Sequence, residues 1–264
     1  MQELYKQILE KILKNHPDTV AVMVHGSSLN GNLEDYSDID FNVFISGKRK
    51  NPIENEIIIW KGKKILVNLN FDNYKEALEI MKTENNAEQI LVDYTAMREV
   101  KILYDKTDFI KKFKKASEER LKVFYEKQKK LMTIKFNILI DFYFKMKRSY
   151  AQGNDIKMLS SAKQIASQSA RIITFFNKLK PEEMYNSILQ NYHAILKLKK
   201  TPKNYKKDFM ICIGLKENLT KKQIFNSAAR IVNETIKFLN KQNLKEIKNP
   251  EFFALLEQAG KYLK

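Results

Sequence analysis

Val20-Ala21-Val22-Met23-Val24-His25-Gly26-Ser27-Ser28-Leu29-Asn30-Gly31, with Ser37-Asp38-Ile39-Asp40-Phe41-Asn42-Val43 close behind it, decides how this 264-residue chain folds. The apolar run Val20 to Val24 predicts a buried strand. Gly26 can adopt backbone conformations closed to other residues and lets an anion approach the main chain. Ser27 and Ser28 offer hydroxyls and suit the start of a short helix. The free N–H groups at such a start favour an anion such as phosphate. Gly31 then ends or bends the segment.

Asp38, Asp40 and Asn42 alternate with Ile39, Phe41 and Val43, so on a strand the two sets point to opposite faces. Both carboxylates project to one side while the apolar set packs into a core. Magnesium takes oxygen ligands, usually one or two carboxylates plus substrate phosphates. Two such ions can clamp the attacking and leaving oxygens of an in-line displacement at phosphorus. Alternating acids alone are most often a solvated face; the Gly-Ser turn placed just before them changes the reading. These are the parts that hold a nucleoside triphosphate and its metal.

Gly26-Ser27, Gly31 and Ser37-Asp38-Ile39-Asp40 resemble, in residues and spacing, the signature of the nucleotidyltransferase superfamily related to DNA polymerase β. Val67-Asn68-Leu69-Asn70-Phe71-Asp72 and Ile102-Leu103-Tyr104-Asp105 are similar to later strands of its antibiotic, kanamycin-type members, which carry a helical second domain. The specific motifs cover about the first quarter of the chain. The resemblance implies that Gly26, Ser27 and Ser28 bind the triphosphate and that Asp38 and Asp40 ligate Mg2+. The family's third carboxylate aligns with Asn68, a departure: an amide oxygen can ligate a metal but brings no charge. Asp72, four residues on and on the same strand face, is the alternative third acid. Antibiotic-type members also take a general base from the helical domain, an acid followed one turn later by a lysine. Asp141 and Lys145 have that spacing on one helix face. Asp141 would then be the catalytic base, made more basic by its apolar surroundings, and Lys145 a phosphate contact. The same pair reads equally as an ordinary helix ion pair.

Charge is unevenly spread. Residues 1–106 hold 14 Lys/Arg against 17 Asp/Glu, while residues 107–264 hold 34 against 14, a net +20. Such asymmetry can mark a nucleic-acid-binding surface, since lysine contacts to phosphate dominate that affinity. A lysine- and asparagine-rich composition, with little arginine, gives the same excess without function. A +20 acceptor domain would repel a cationic aminoglycoside at long range. The single cysteine, Cys212, excludes an internal disulfide and argues for a reducing, cytoplasmic setting. No stretch is apolar enough to span a membrane, and the start is an amphipathic helix without the apolar block of a signal peptide.

The expected fold is an α/β (α+β) nucleotidyltransferase domain with a small mixed sheet over 1–106, followed by an all-α bundle over 107–264. The pattern predicts a first helix, strands near 19–25 and 38–46, a hairpin around Lys61-Gly62-Lys63, helices near 73–83 and 87–96, and a strand at 99–104. One long helical pattern, or two helices, runs over 107–152; further helices fall at 155–179, from Pro181 to 198, at 220–241 and at 250–263. Thr201 to Leu219 reads as a turn-rich connection. His16, His25 and His193 lack metal-ligand spacing, and His25 reads more readily as a packed strand-end residue than as a phosphate contact.

The expectation is a two-domain nucleotidyltransferase that uses Mg2+ and an NTP, ATP by preference, to place a nucleoside monophosphate on a hydroxyl. Three functions compete: a small-molecule transferase of antibiotic type, an enzyme acting on tRNA-like RNA, and a catalytically impaired nucleotide- or RNA-binding module that keeps the fold. A homodimer is compatible with the resemblance, because antibiotic-type relatives form sites between subunits.

Overall fold

Leu4, Tyr5, Ile8 and Ile12 recur at helical spacing on α1 (Gln2–Asn15) and bury one stripe of it against a sheet. The computed structural model describes residues 1–31, 33–84, 86–177, 179, 183–184, 192–242, 244 and 250–263. It divides into two compact units, Met1–Tyr125 and Glu126–Lys264.

The first unit is built on five strands: β1 (Thr19–His25), β2 (Asp38–Ile45), β3 (Ile53–Trp60), β4 (Lys63–Asn73) and β5 (Val100–Asp105). Their order is β3-β4-β2-β1-β5, with β2 and β4 parallel and every other neighbour pair antiparallel. β1 lies inside the sheet, between β2 and β5, and its first six residues are buried, as its unbroken apolar run requires. Ile39, Phe41, Val43 and Ile45 face α1 on one side of the sheet. Ala21, Met23 and Phe44 face the other way, against Met97, Phe109 and Ile110. β3 begins at Ile53, earlier than the expected hairpin arm, because its alternation extends through Glu54 and Glu56 at a sheet edge. The hairpin turns at Lys61 and Gly62, both with positive φ (50° and 79°), the backbone that a two-residue hairpin turn requires.

Helices α2 (Tyr74–Thr83) and α3 (Ala87–Arg98) start at Asn73 and Asn86, whose side chains accept from the first-turn N–H groups. Asp93 on α3 is largely buried, which pushes its carboxyl up to about 6; the hydrogen bond donated by Gln89 Nε2 (2.7 Å) opposes the shift. Between about pH 4 and 6 the folded chain therefore holds this proton more tightly than the unfolded chain, so stability falls as pH rises through that window. Asp93→Asn is expected to stabilise the chain at about pH 7.5 by on the order of 1–3 kcal/mol and to lose that advantage below about pH 4. Urea unfolding at the two pH values measures the difference; an equal effect at both contradicts it.

One helix, α4 (Phe109–Ala151), carries the chain from the first unit into the second without the break that the sequence left open. The Asp105 carboxylate accepts N–H groups from Phe109 and Ile110 (2.8 and 2.9 Å) and so caps its start. Gly153, with φ +66°, turns the chain, and Asn154 caps α5 (Asp155–Thr174). Shorter helices α6 (Tyr192–Lys197) and α7 (Tyr205–Cys212) precede α8 (Lys221–Asn240) and α9 (Pro250–Tyr262). Thr220 and Gln223 form a reciprocal capping box at the start of α8. Phe136, Leu139, Met146, Ile165, Phe209, Ile231 and Phe252 are among the fully buried core of this unit.

The expected turn-rich piece contains α7. Tyr205, Phe209 and Cys212 recur on one face and are buried, and Asp208 beside them is held by Arg230. Burial pushes the Cys212 thiol up to about 12, with the neighbouring Asp208 charge adding to it, so this cysteine stays protonated and packs as a small apolar group. The expected helix start at Pro181 lies outside the described residues. No described helix is long and apolar enough to cross a membrane.

Candidate active site

The antiparallel ladder between β1 and β2 brings the end of one strand to the start of the other. His25 lies directly opposite Asp40, so the turn after β1 sits at the edge where the two carboxylates begin β2. Gly26 has φ +88° and ψ −163°, a conformation essentially restricted to glycine. A Cβ there would meet nothing within 4 Å, so the demand at this position is conformational and the space beside it is open. Residues Ser27–Asn30 form one 3-10 turn, closed by Gly31 in the left-handed region with its N–H donated to the Ser28 carbonyl (3.2 Å). The Tyr5 hydroxyl of α1 donates to the same carbonyl (3.0 Å) and pins the turn from behind. The Ser28 hydroxyl is buried and has no hydrogen-bond partner among the described residues. The Ser27 side chain lies outside what the structure describes.

Asp38 is exposed, Asp40 half-buried, and both stand on the sheet face away from α1, as the alternation predicts. Register extends the site sideways. Asp40 is paired with Asn68 on β4, and Asn68 with Asn55 on β3, so His25, Asp40, Asn68 and Asn55 form one polar row across four strands. Asn68 Nδ2 donates to Asp40 Oδ1 at 2.9 Å. Asn68, expected at the family's third-carboxylate position, is thus a neutral hydrogen-bond partner of Asp40. Asp72 does not replace it. Its register partner is Phe44, four residues past Asp40, which is about 13 Å along the strand. Burial alone raises the Asp72 carboxyl.

The donor set fits one magnesium ion. Asp38 and Asp40 supply two carboxylates on one face, and the open space at Gly26 with the unpartnered Ser28 hydroxyl suits the phosphates that complete its coordination. Among the described residues no group of three His, Cys, Asp or Glu side chains could hold a metal.

Asp141 and Lys145 belong to the second unit, on α4, where they form an i,i+4 ion pair of 2.6 Å. Their side chains are 55% and 47% exposed, so Asp141 stands in water rather than in the desolvated setting expected from its apolar neighbours. Those neighbours, Phe136 and Tyr143, turn inward to the core, and helical periodicity leaves Asp141 on the outside. Tyr150 stacks on Phe225 (4.3 Å between rings). The polar row through His25 and Asn55 was hidden in the sequence, since only register places residues of four strands side by side; the signal available was the position of His25 at the end of β1.

Comparison with known families agrees with this geometry. Residues 7–118 match the family described as polymerase beta, nucleotidyltransferase, and residues 136–241 match the nucleotidyltransferase substrate binding domain. The chain belongs to the nucleotidyltransferases, with a family catalytic domain followed by a family substrate-binding domain. No curated protein matches it. Among solved structures, a nucleotidyltransferase-like protein from Exiguobacterium sibiricum 255-15 is 13% identical, with a TM-score of 0.49 over 98% of this chain and 89% of the other. Spectinomycin adenyltransferase from Enterococcus faecialis, solved with ATP and spectinomycin, is 16% identical, with a TM-score of 0.36 over 86% of this chain and 98% of the other. Likenesses that weak carry no weight for substrate.

Proposed function

We propose that this nucleotidyltransferase moves a nucleoside monophosphate from ATP to a hydroxyl acceptor with one magnesium ion. The observation that carries the reading is the pair Asp38 and Asp40 on one sheet face beside the open Gly26 turn. Magnesium, when bound, neutralises phosphate charge and orients the triphosphate. Asp38 and Asp40 would hold the ion, and the Gly26–Ser28 turn would cradle the phosphates through its N–H groups and hydroxyls. An acceptor hydroxyl oxygen forms a bond to the α-phosphorus, the bond from that phosphorus to the bridging oxygen breaks, and pyrophosphate leaves with the electron pair. The hydroxyl proton passes to a base, for which Asp141 is the proposed residue, with Lys145 beside it to meet phosphate. Most of the catalysis would come from positioning and charge neutralisation, as in phosphoryl transfer generally.

The test is pyrophosphate release from each of the four ribonucleoside triphosphates with magnesium, with and without total tRNA. Release that needs the acceptor and magnesium supports transfer. Absence of release with nucleotide still bound supports the second reading, a nucleotide-binding module. That reading is favoured by one observation, the neutral Asn68 hydrogen-bonded to Asp40. The two readings give opposite expectations for Asn68→Asp. In a working but under-charged site the third carboxylate should lower the magnesium concentration needed and raise turnover by at least about tenfold. Unchanged or lower turnover, with magnesium-dependent stabilisation absent, contradicts the transferase reading of this position.

A further inference from the structure

The C-terminal end of α4 and the start of α5 enclose a groove of about 640 Å³ within the second unit, away from any residue used above except Lys145. Three cations line it, Lys145, Arg148 and Lys157, together with the hydroxyls of Ser149, Ser160 and Ser161 and no carboxylate. Ser149 and Ser161 are each only 6% exposed, so the hydroxyl side of the groove is part of the packed structure. Asp141 pairs with Lys145 and Asp155 pairs with Lys221, which leaves Arg148 and Lys157 without an ion pair among the described residues. The groove lies between the first turn of α5 and the last turns of α4, so the positive dipole end of one helix is offset by the negative end of the other and the cationic side chains set its potential.

That combination suits one chemistry. An arginine fork matches two phosphate oxygens, lysine adds charge, and a serine hydroxyl such as that of the exposed Ser160 donates to a remaining oxygen, the Ser161 hydroxyl being already donated to the Lys157 carbonyl (2.8 Å). A polycationic ligand would meet only repulsion here. We propose that this groove binds a phosphate group of the acceptor. The idea rests on the transferase reading for the word acceptor, but the binding does not depend on turnover. The net +20 of residues 107–264 favours a strand with many phosphates, an RNA, over a small phosphorylated molecule.

The experiment separates the groove from the active site by using full-length Asp38→Ala/Asp40→Ala protein throughout, with no nucleotide present. Binding of a fluorescein-labelled oligouridylate is followed by anisotropy across a salt series. Arg148→Ala/Lys157→Ala is compared with Lys203→Ala/Lys216→Ala, which removes the same charge from exposed positions elsewhere in the second unit. The groove variant should bind at least about tenfold more weakly, with a salt slope reduced by about 0.7 per lost contact, while the control changes by less than about threefold. If the oligonucleotide does not bind but glycerol 3-phosphate raises the melting temperature of the parent and not of the groove variant, the phosphate belongs to a small acceptor and the groove assignment stands. Equal loss in both variants, or no response to either probe, overturns it. Failure of the parent protein to bind either probe, with intact pyrophosphate release in the wild-type chain, would remove the groove and leave the transferase reading in place.

Discussion

Asp40→Ala is expected to lower magnesium-dependent pyrophosphate release by at least about a thousandfold, which corresponds to about 4 kcal/mol of lost transition-state stabilisation. Asp40 is half-buried in the middle of the polar row, between His25 on one strand and Asn68 on the other. Only one other carboxylate, Asp38, stands beside it on this face of β2. With a neutral amide at position 68, no third charge remains to keep a magnesium ion in place when one of the two is removed. Asp38→Ala should be comparably severe, and the double variant little worse than either, because the proposed mechanism has the two hold the same ion. Asp38→Ala should not weaken the fold: removing one of two neighbouring like charges relieves repulsion, so its melting temperature should hold or rise. Asp40→Ala also removes the acceptor of the Asn68 amide, which offsets part of the same gain. Retained activity in Asp40→Ala would place the metal elsewhere.

Arg230→Ala should have the largest effect on stability, about 3–5 kcal/mol. Asp208 is 2% exposed, and its two oxygens accept from Arg230 Nε at 3.1 Å and from an Arg230 terminal nitrogen at 2.6 Å. The same nitrogen also donates to the Ser227 hydroxyl one turn back on α8 at 2.9 Å, while the bonds to Asp208 tie α7 to α8. Deleting the arginine leaves a buried carboxylate without its counter-charge, beside a thiol that cannot replace it. Arg230→Ala/Asp208→Leu removes both charges and should recover most of the loss, since a buried pair is often replaceable by apolar residues. Urea unfolding of the single and double variants checks this. A cost below about 1 kcal/mol for Arg230→Ala would mean that water or another cation already serves Asp208.

Much of the first unit was legible because local chemistry and tertiary structure agree there. The unbroken apolar run of β1, the alternation of β2 and the Gly-Ser turn between them each point to the same arrangement. The Asp38–Asp40 face followed from a period of two, without any need for the rest of the sheet. The polar row could not be read, because register between distant strands depends on packing of both faces and not on any one segment. The fate of Asp72 was hidden for the same reason: sharing a face with Asn68 says nothing of the distance along a strand. In the second unit, α7 was lost to sequence reading because its eight residues carry two lysines and an aspartate. That aspartate is satisfied only by an arginine 22 residues later. Asp141 was misjudged in its surroundings because an apolar stretch on a helix buries one side only.

Transfer of the α-phosphate is the central claim, and ATP labelled at that position tests it most directly. With magnesium and total RNA or a small-molecule extract as acceptor, nucleotidyl transfer predicts labelled acceptor and pyrophosphate in equal amounts, both abolished in Asp38→Ala/Asp40→Ala. Label that stays in the nucleotide while a γ-label reaches acceptor or water would contradict it, and would make these two carboxylates the site of a different phosphate chemistry.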